Sequence, residues 1–134
     1  KNQLELIKAY GKLPHPSPEL IFIGAWDEEY KKKCETYIAE KNLKNIHFLG
    51  HRDQPWEEVT AADLAVFPSA METFGLVYIE AIMNGIPVII SDNLGHLSAY
   101  EIFEEGQLYP SGNVEILTER IKEALDSFEQ LKEN

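Results

Sequence analysis

The sequence contains very little cysteine and no long apolar run. Cys34 is the single cysteine, so an internal disulfide is excluded, and a lone cysteine is typical of a reducing compartment. No apolar stretch approaches the roughly 20 residues that cross a bilayer, and the opening residues lack the apolar core of a signal peptide. We therefore expect a cytoplasmic location.

Basic residues are also scarce. Lys and Arg total 12 against 23 Asp and Glu, which gives a net charge of −11. This charge repels a phosphate polymer, so nucleic acid is excluded as a partner. What the sequence does contain, 44% apolar and 26% charged residues over 134 positions, is typical of one globular domain.

Apolar runs typical of buried strands alternate along the chain with segments of helical periodicity. The predicted strands are 20–23, 46–50, 64–68, 87–91 and 107–109. The predicted helices are 4–13, 27–42, 55–62, 76–84 and, as one long or two consecutive helices, 114–132. This alternation predicts an α/β fold, a doubly wound Rossmann-like parallel sheet with helices on both faces.

In such sheets, ligands bind beyond the carboxyl ends of the strands. The loops that follow Ile23, Leu49, Phe67 and Ile90 are therefore the candidate site. Gly24, which closes the first predicted strand, is one of the candidate binding residues in these loops.

The segment 68–81 follows a predicted strand and leads directly into a predicted helix. Free backbone N–H groups of residues 74–77, together with the positive end of the helix dipole, suit a diphosphate. Glu72 in the loop and Glu80 on the helix are carboxylates that can each accept two neighbouring hydroxyl groups. The arrangement predicts a nucleotide-sugar site, although two glutamates alone are also compatible with an ordinary loop carboxylate and a solvated helix residue.

The spacing of this segment resembles the motif of the large retaining glycosyltransferase family with the GT-B fold, of the group 1 (family 4) type. The matching residues are Pro68, Ser69, Glu72, Phe74, Gly75, Leu76, Glu80 and Ala81, then Gly85, Pro87, Val88 and Ile89. Segments 18–24, 46–50 and 61–64 are similar to further parts of the family pattern, so the resemblance covers nearly the whole chain.

The resemblance implies a role for each residue of the motif. Glu72, the first glutamate of the family's E-x7-E motif, is the candidate catalytic residue that bonds the donor hexose, and Glu80 accepts from the ribose hydroxyls. The remaining donor-binding candidates of this loop are Thr73, Phe74, Gly75, Leu76 and Val77. The amides of Phe74 and Gly75 face the sugar, and those of Leu76 and Val77 face the diphosphate.

Other candidates lie outside the motif. Lys1 resembles the family's phosphate-binding lysine, and it is equally compatible with a solvated terminal residue. Arg52 lies where the family contacts the base, or is a solvated loop arginine. In segment 91–98, Leu94 replaces one of two usual glycines, and His96 either reaches the cleft or is structural.

The resemblance covers only the donor-binding, C-terminal half of a GT-B protein. The acceptor-binding N-terminal domain and the first strand of the order 3-2-1-4-5-6 are then expected before Lys1, in a longer protein. Without that strand, the strands near Ile21 and Val66 must pair directly or leave a gap. The acceptor is an unknown glycan, lipid or small molecule, and relatives often attach peripherally at the inner membrane face.

The resemblance implies a front-face displacement with retention of configuration, in which the leaving diphosphate helps to deprotonate the acceptor. No Asp-x-Asp pair or histidine cluster is present, so we expect no metal and no cofactor beyond the nucleotide-sugar substrate. Two alternatives are a stand-alone nucleotide-sugar-binding module and a nucleotide-sugar epimerase that shares the GT-B architecture.

Overall fold

The computed structural model of the chain describes residues 2–14, 16–53, 64–68, 76–103 and 106–133. The helices in these residues are α1 (Gln3–Gly11), α2 (Glu28–Glu40), α3 (Leu76–Met83), α4 (Leu94–Phe103) and α5 (Val114–Glu133). The strands are β1 (Leu20–Phe22), β2 (Ile46–Phe48), β3 (Ala65–Phe67), β4 (Val88–Ser91) and β5 (Gln107–Tyr109). Strands and helices alternate from α1 to β2 and again from β3 to α5, as the sequence predicts, and residues 54–63 between β2 and β3 lie outside the described part of the chain.

All strand pairs in the described residues are parallel, and they form two groups. In the first group β1 pairs with β2, with Leu20 opposite Ile46. In the second, β4 lies between β3 and β5, with Ala65 opposite Val88. Of the two arrangements expected for β1 and β3, the described residues show the gap, since these two strands do not pair.

The core has one cluster of apolar side chains on each face of the strands. Ile89 of β4 packs in the cluster that contains residues of α1, α2 and α5. Its neighbours Val88 and Ile90 pack in the other cluster, which contains residues of α3 and α4. All three are buried, and full burial of such a side chain contributes about 1.5–3 kcal/mol. Helices therefore cover both faces of β4, which confirms the predicted fold class.

Local signals define the predicted ends of two helices. Asp27 is the N-cap of α2, and its Oδ2 accepts from the backbone N–H of Tyr30 at 3.0 Å. At the end of α3, the N–H of Ile86 donates to the carbonyl of Ala81 at 3.1 Å. Gly85 between them has φ 72°, a left-handed conformation that suits glycine, so the helix stops before β4.

Three sequence predictions need correction or completion. The first strand is not buried on both faces, because Ile21 is 50% exposed. Helix α4 was not predicted at all, since segment 91–98 has the composition of a loop. The tail forms one helix, and the predicted helix 55–62 lies outside the described residues.

A buried hydrogen bond ties the first helix to the last strand. The hydroxyl of Tyr109 donates to Glu5 Oε2 at 2.6 Å, and the two residues are 1% and 7% exposed. Asn2 Nδ2 donates to Glu5 Oε1 at 3.2 Å, and the N–H of Leu4 donates to the Tyr30 hydroxyl at 2.8 Å. The start of α1 is thus held from two sides.

Removing the Tyr109 hydroxyl should leave Oε2 of the buried Glu5 carboxyl group without its donor, while Asn2 still donates to Oε1. We expect Tyr109→Phe to lower the free energy of unfolding by about 1–3 kcal/mol in urea titrations. The double variant Tyr109→Phe with Glu5→Leu should recover part of that loss, because it also removes the unsatisfied acceptor. A single variant as stable as the unsubstituted chain would show that the bond contributes nothing.

The same tyrosine predicts a loss of stability at high pH. Burial raises the pKa of Tyr109 above its ordinary value of 10.0, and the hydrogen bond to Glu5 raises it further. Since the unfolded chain then loses this proton first, stability is full below about pH 10 and falls as the pH rises above it. Urea titrations between about pH 8 and 11 should show a steeper fall than in Tyr109→Phe; equal slopes would contradict this assignment.

Candidate functional site

The carboxyl ends of β3 and β4 lie side by side. These strands are parallel and adjacent, with Phe67 opposite Ile90, so the segments that follow them begin at the same edge of the sheet. Helix α3 begins at Leu76 after the first of these segments, and α4 begins at Leu94 after the second. The sheet thereby brings two helix N-termini to one edge, which is where ligands bind in parallel sheets.

Half of the candidate residues lie outside the described part of the chain. These are Lys1, Glu72, Thr73, Phe74 and Gly75. Their assigned roles stay predictions. The described candidates are Leu76, Val77 and Glu80 on α3, Gly24 after β1 and Arg52 after β2.

The first turn of α3 has two groups that suit a ligand. Its backbone N–H groups can bind an anion, and the Glu80 carboxylate can accept hydrogen bonds from hydroxyl groups. Leu76 and Val77 are the first two residues of the helix, whose opening N–H groups have no partner within the helix itself. Val77 is 52% exposed. Glu80 is exposed three residues later, and residues at this spacing lie on the same side of a helix.

Gly24 and Arg52 lie together at the carboxyl ends of β1 and β2. The N–H of Gly24 donates to the carbonyl of Gly50 at 2.8 Å, and Gly24 has φ 135°, which a side chain would strain. The Arg52 guanidinium donates to the carbonyls of Leu49 and His51, the latter at 3.2 Å. Arg52 therefore bonds to the backbone of its own loop, and base stacking by this residue stays a prediction.

An aromatic cluster that the sequence analysis did not identify supports the loop after β1. The Trp26 ring packs edge-on against Phe22 and Phe48, with centroids 5.2 and 5.1 Å apart, and stacks on Tyr30 at 6.0 Å. The available signal was a tryptophan two residues after the glycine that ends the strand. The cluster fixes this loop against both β1 and α2.

A buried polar cluster lies at the carboxyl end of β4. His96 is 1% exposed, and its Nδ1 is 3.0 Å from the carbonyl oxygen of Ser91. Asn93 Nδ2 lies 3.0 Å from the same ring nitrogen. Asn93 Nδ2 donates to Ser91 Oγ at 3.0 Å, and Asn93 Oδ1 accepts from the His96 N–H at 2.9 Å. Asn93 is thus the N-cap of α4.

This cluster answers one of the open alternatives of the sequence analysis. His96 is buried and orders the first turn of α4, so its ring belongs to the support of the site edge. The sequence signal was three polar residues, Ser91, Asn93 and His96, directly after an apolar strand. Ser and Asn have short side chains that can bond to the nearby backbone. Leu94, where the family pattern has glycine, begins the helix that this cluster caps.

Two further properties concern membranes and metals. None of the described helices combines the length and the apolar character that a bilayer crossing requires. Across residues 2–14, 16–53, 64–68, 76–103 and 106–133, no three His, Cys, Asp or Glu side chains come together as metal ligands. Metal-independent chemistry stays a prediction.

Comparison with protein families gives one match over the full length of the sequence. The family model described as "Glycosyl transferases group 1" matches residues 1–134. Among curated proteins, the poly(glycerol-phosphate) alpha-glucosyltransferase of Bacillus subtilis (strain 168) is 33% identical over 125 residues. That alignment covers 90% of this chain and 18% of the relative.

Solved structures share the fold. The structure of HepE from Anabaena in complex with UDP-glucose superposes with a TM-score of 0.85 at 28% identity, covering 96% of this chain and 36% of that one. Sucrose-phosphate synthase from Thermosynechococcus elongatus superposes with a TM-score of 0.77 at 32% identity, covering 92% and 32%. The chain thus spans about a third or less of the proteins it matches.

The two asparagine caps of the chain provide a matched pair of variants. Asn113 caps α5 as Asn93 caps α4, since its Oδ1 accepts from the Ile116 N–H at 2.9 Å. We expect Asn93→Ala and Asn113→Ala each to lose about 0.5–2 kcal/mol of stability in urea titrations. Only Asn93→Ala should also change the ring nitrogen chemical shifts of His96. Unchanged His96 shifts in that variant would contradict the proposed cluster.

Proposed function

This chain belongs to the group 1 glycosyl transferases, and on that premise we propose that it binds a nucleotide diphosphate hexose and supports transfer of the sugar to an acceptor with retention of configuration. The observation that carries the proposal is the start of α3. Its first N–H groups lie at the carboxyl edge of a parallel sheet, and Glu80 follows one turn later.

The proposed donor is UDP-glucose. HepE, whose C-terminal part this fold matches, was solved with UDP-glucose, and the relative from Bacillus subtilis is named a glucosyltransferase. Because the chain spans about a third or less of these proteins, the donor of the whole protein is a proposal on the strength of this similarity.

We assign the diphosphate and the ribose of the donor to different residues at the start of α3. The N–H groups of Leu76 and Val77 bind the diphosphate, because the dipole and the open backbone donors attract an anion there. The Glu80 carboxylate accepts from the two ribose hydroxyls, one at each oxygen. Lys1 adds a positive charge to the phosphate side in a chain whose net charge is −11.

The hexose lies beside Glu72, with the amides of Phe74 and Gly75 on its hydroxyls and Thr73 in the same loop. In the front-face displacement, the bond from the anomeric carbon to the phosphate oxygen breaks as the acceptor oxygen bonds on the same face. The acceptor proton passes to the departing diphosphate. The charge of Glu72 stabilises the positive character that develops on the sugar ring, so its contribution is greatest in the transition state.

Gly24, Arg52 and the Trp26 cluster lie at the carboxyl ends of β1 and β2, in the other strand group. We propose that the base of the nucleotide is held there. Gly24 allows the backbone to come close to the ligand, and Arg52 presents a planar cation that suits a ring. The acceptor, a glycan, a lipid or a small molecule, is bound by a second domain of the longer protein.

Isothermal titration calorimetry with UDP-, GDP- and ADP-glucose tests the proposal on the longer gene product that contains this chain. Binding of UDP-glucose with release of UDP in the presence of an acceptor would support it. Tight binding without turnover of any acceptor would favour a binding module, and a changed sugar on the recovered nucleotide would identify an epimerase. Binding of none of the three donors by a folded protein would overturn the proposal.

The two glutamates should differ in what they control. We expect Glu80→Ala to weaken UDP-glucose binding by about 1.5–3 kcal/mol, at least tenfold, with a smaller effect on kcat at saturation. Glu72→Ala should instead lower kcat on the order of 100-fold with little change in donor affinity. Glu101→Ala, an exposed glutamate late in α4, is the matched control and should change neither.

Calorimetry and steady-state kinetics with a saturating acceptor separate these effects. Equal losses of donor affinity in Glu72→Ala and Glu80→Ala would contradict the division of roles. A loss in Glu101→Ala comparable to that in Glu80→Ala would show that the effect is one of overall charge.

A further inference from the structure

The start of α1 lies at the same edge of the sheet as the start of α4. Tyr109 ends β5 and lies opposite Ser91, the last residue of β4. The N–H of Asp92 donates to the Tyr109 carbonyl at 3.0 Å, and the Tyr109 hydroxyl donates to Glu5 Oε2 at 2.6 Å. The first turn of α1 therefore lies beside the segment that leads into α4, at the carboxyl edge of the group of β3, β4 and β5.

Two opening N–H groups of α1 are already bonded within the protein. The N–H of Leu4 donates to the Tyr30 hydroxyl at 2.8 Å, and the N–H of Glu5 donates to the carbonyl of Asn2 at 3.2 Å. Groups of this kind bind anions at open helix N-termini, and here they have other partners. A side chain is therefore the group that the start of α1 can supply to an anion. Lys1, the candidate phosphate ligand, directly precedes Asn2 and lies outside the described residues.

The backbone conformation of Asn2 sets the direction in which the chain enters α1. Asn2 has φ 67° and ψ 28°, in the left-handed region that residues other than glycine rarely adopt. Its side chain makes no capping hydrogen bond to the helix, and its Nδ2 instead donates to Glu5 Oε1 at 3.2 Å. Such a conformation persists only where the surroundings fix it. Glu5 supplies that restraint, because it bonds to Asn2 through both its carboxylate and its N–H.

The burial of Glu5 is not explained by stability. Glu5 is 7% exposed, and the next residues along α1, Leu6 and Ile7, belong to the apolar core. Burying a carboxylate costs free energy even when it is bonded, and a well-packed apolar pair in its place is often at least as stable. An apolar pair at positions 5 and 109 could not hold the side-chain amide of Asn2, which is what the polar pair does.

We propose that Glu5 is a positioning residue of the donor site, which holds Asn2 in its left-handed conformation and thereby directs Lys1 toward the donor diphosphate. Tyr109 orients the carboxylate, since its hydroxyl occupies Oε2 and leaves Oε1 to Asn2. The backbone bond from Asp92 to Tyr109 ties this arrangement to the segment before α4. The role of Glu5 rests on the proposed function, in which Lys1 binds the diphosphate.

Calorimetric titration of UDP-glucose into variants of the longer gene product tests this role. The double variant Glu5→Leu with Tyr109→Phe removes the polar contacts and keeps apolar side chains in their place, and Lys1→Ala removes the ammonium group. We expect each to weaken UDP-glucose binding about tenfold, because each removes the same charged contact. The triple variant should bind no more weakly than Lys1→Ala alone, because Glu5 acts through Lys1.

A conservative variant and a core variant separate positioning from a general loss of stability. In Glu5→Gln the side-chain oxygen can accept from Tyr109, and the side-chain amide can donate to Asn2 once the Asn2 amide group turns over. Glu5→Gln should therefore keep UDP-glucose affinity within about twofold of the unsubstituted protein. Ile86→Val, a buried substitution just before β4 at the opposite edge of the sheet, should lower stability and leave the affinity unchanged.

Hydrogen exchange of the Asn2 side-chain amide, measured by NMR without donor, tests the contact itself. Exchange should be slow in the unsubstituted protein and faster in the double variant, because only the former retains the Glu5 acceptor. Equal exchange rates in the two proteins would overturn the role of Glu5, whatever the donor titration shows.

The donor titrations distinguish failure of this role from failure of the proposed function. Losses that add in the triple variant, or unchanged affinity in a folded Glu5→Leu and Tyr109→Phe variant, would overturn the positioning role and leave the function standing. A loss in Glu5→Gln as large as that in the double variant would also overturn it. Absence of UDP-glucose binding by the unsubstituted protein would refute the proposed donor, and the role of Glu5 with it.

Discussion

The architecture depends on one constraint, that a parallel strand cannot follow its neighbour through a tight turn. Each step from one strand to the next must cross the sheet through a helix or a long segment, and the chain therefore alternates between the two element types. The same constraint aligns the carboxyl ends of the strands within each group. The starts of α3 and α4 and the Ser91, Asn93 and His96 cluster lie at that edge of the group of β3, β4 and β5, and the Gly24 turn lies at the carboxyl ends of β1 and β2.

Much of this arrangement could be predicted from the sequence because apolar runs and helical periodicity are strong local signals. The predicted segments match strands β4 and β5 and helices α1, α2 and α3 closely. Asp27 caps the start of α2, and Gly85 follows the end of α3, as the capping chemistry predicts. The family match was also predictable, since the spacing of glutamates, glycine and proline in 68–89 is specific.

The remaining features depend on contacts that no local pattern records. Helix α4 begins in a stretch of loop-like composition, and it is ordered by a histidine that bonds back to the end of β4. Trp26, in the loop after β1, packs against Phe48 of β2, and this contact between distant parts of the sequence fixes the loop. Ile21 is 50% exposed although its side chain is strongly apolar, so the prediction of a strand buried on both faces was wrong there.

The bond between Tyr109 and Glu5 joins residues 104 positions apart. During synthesis, α1 emerges early, but Oε2 of its buried Glu5 carboxyl group lacks the Tyr109 donor until β5 has left the ribosome. Until then Leu6, Ile7 and Tyr10, which pack with Leu117 of α5, remain open to solvent and to other chains. Packing around α1 thus waits for β5 and α5, and a polypeptide stalled before β5 would be a natural target for chaperones.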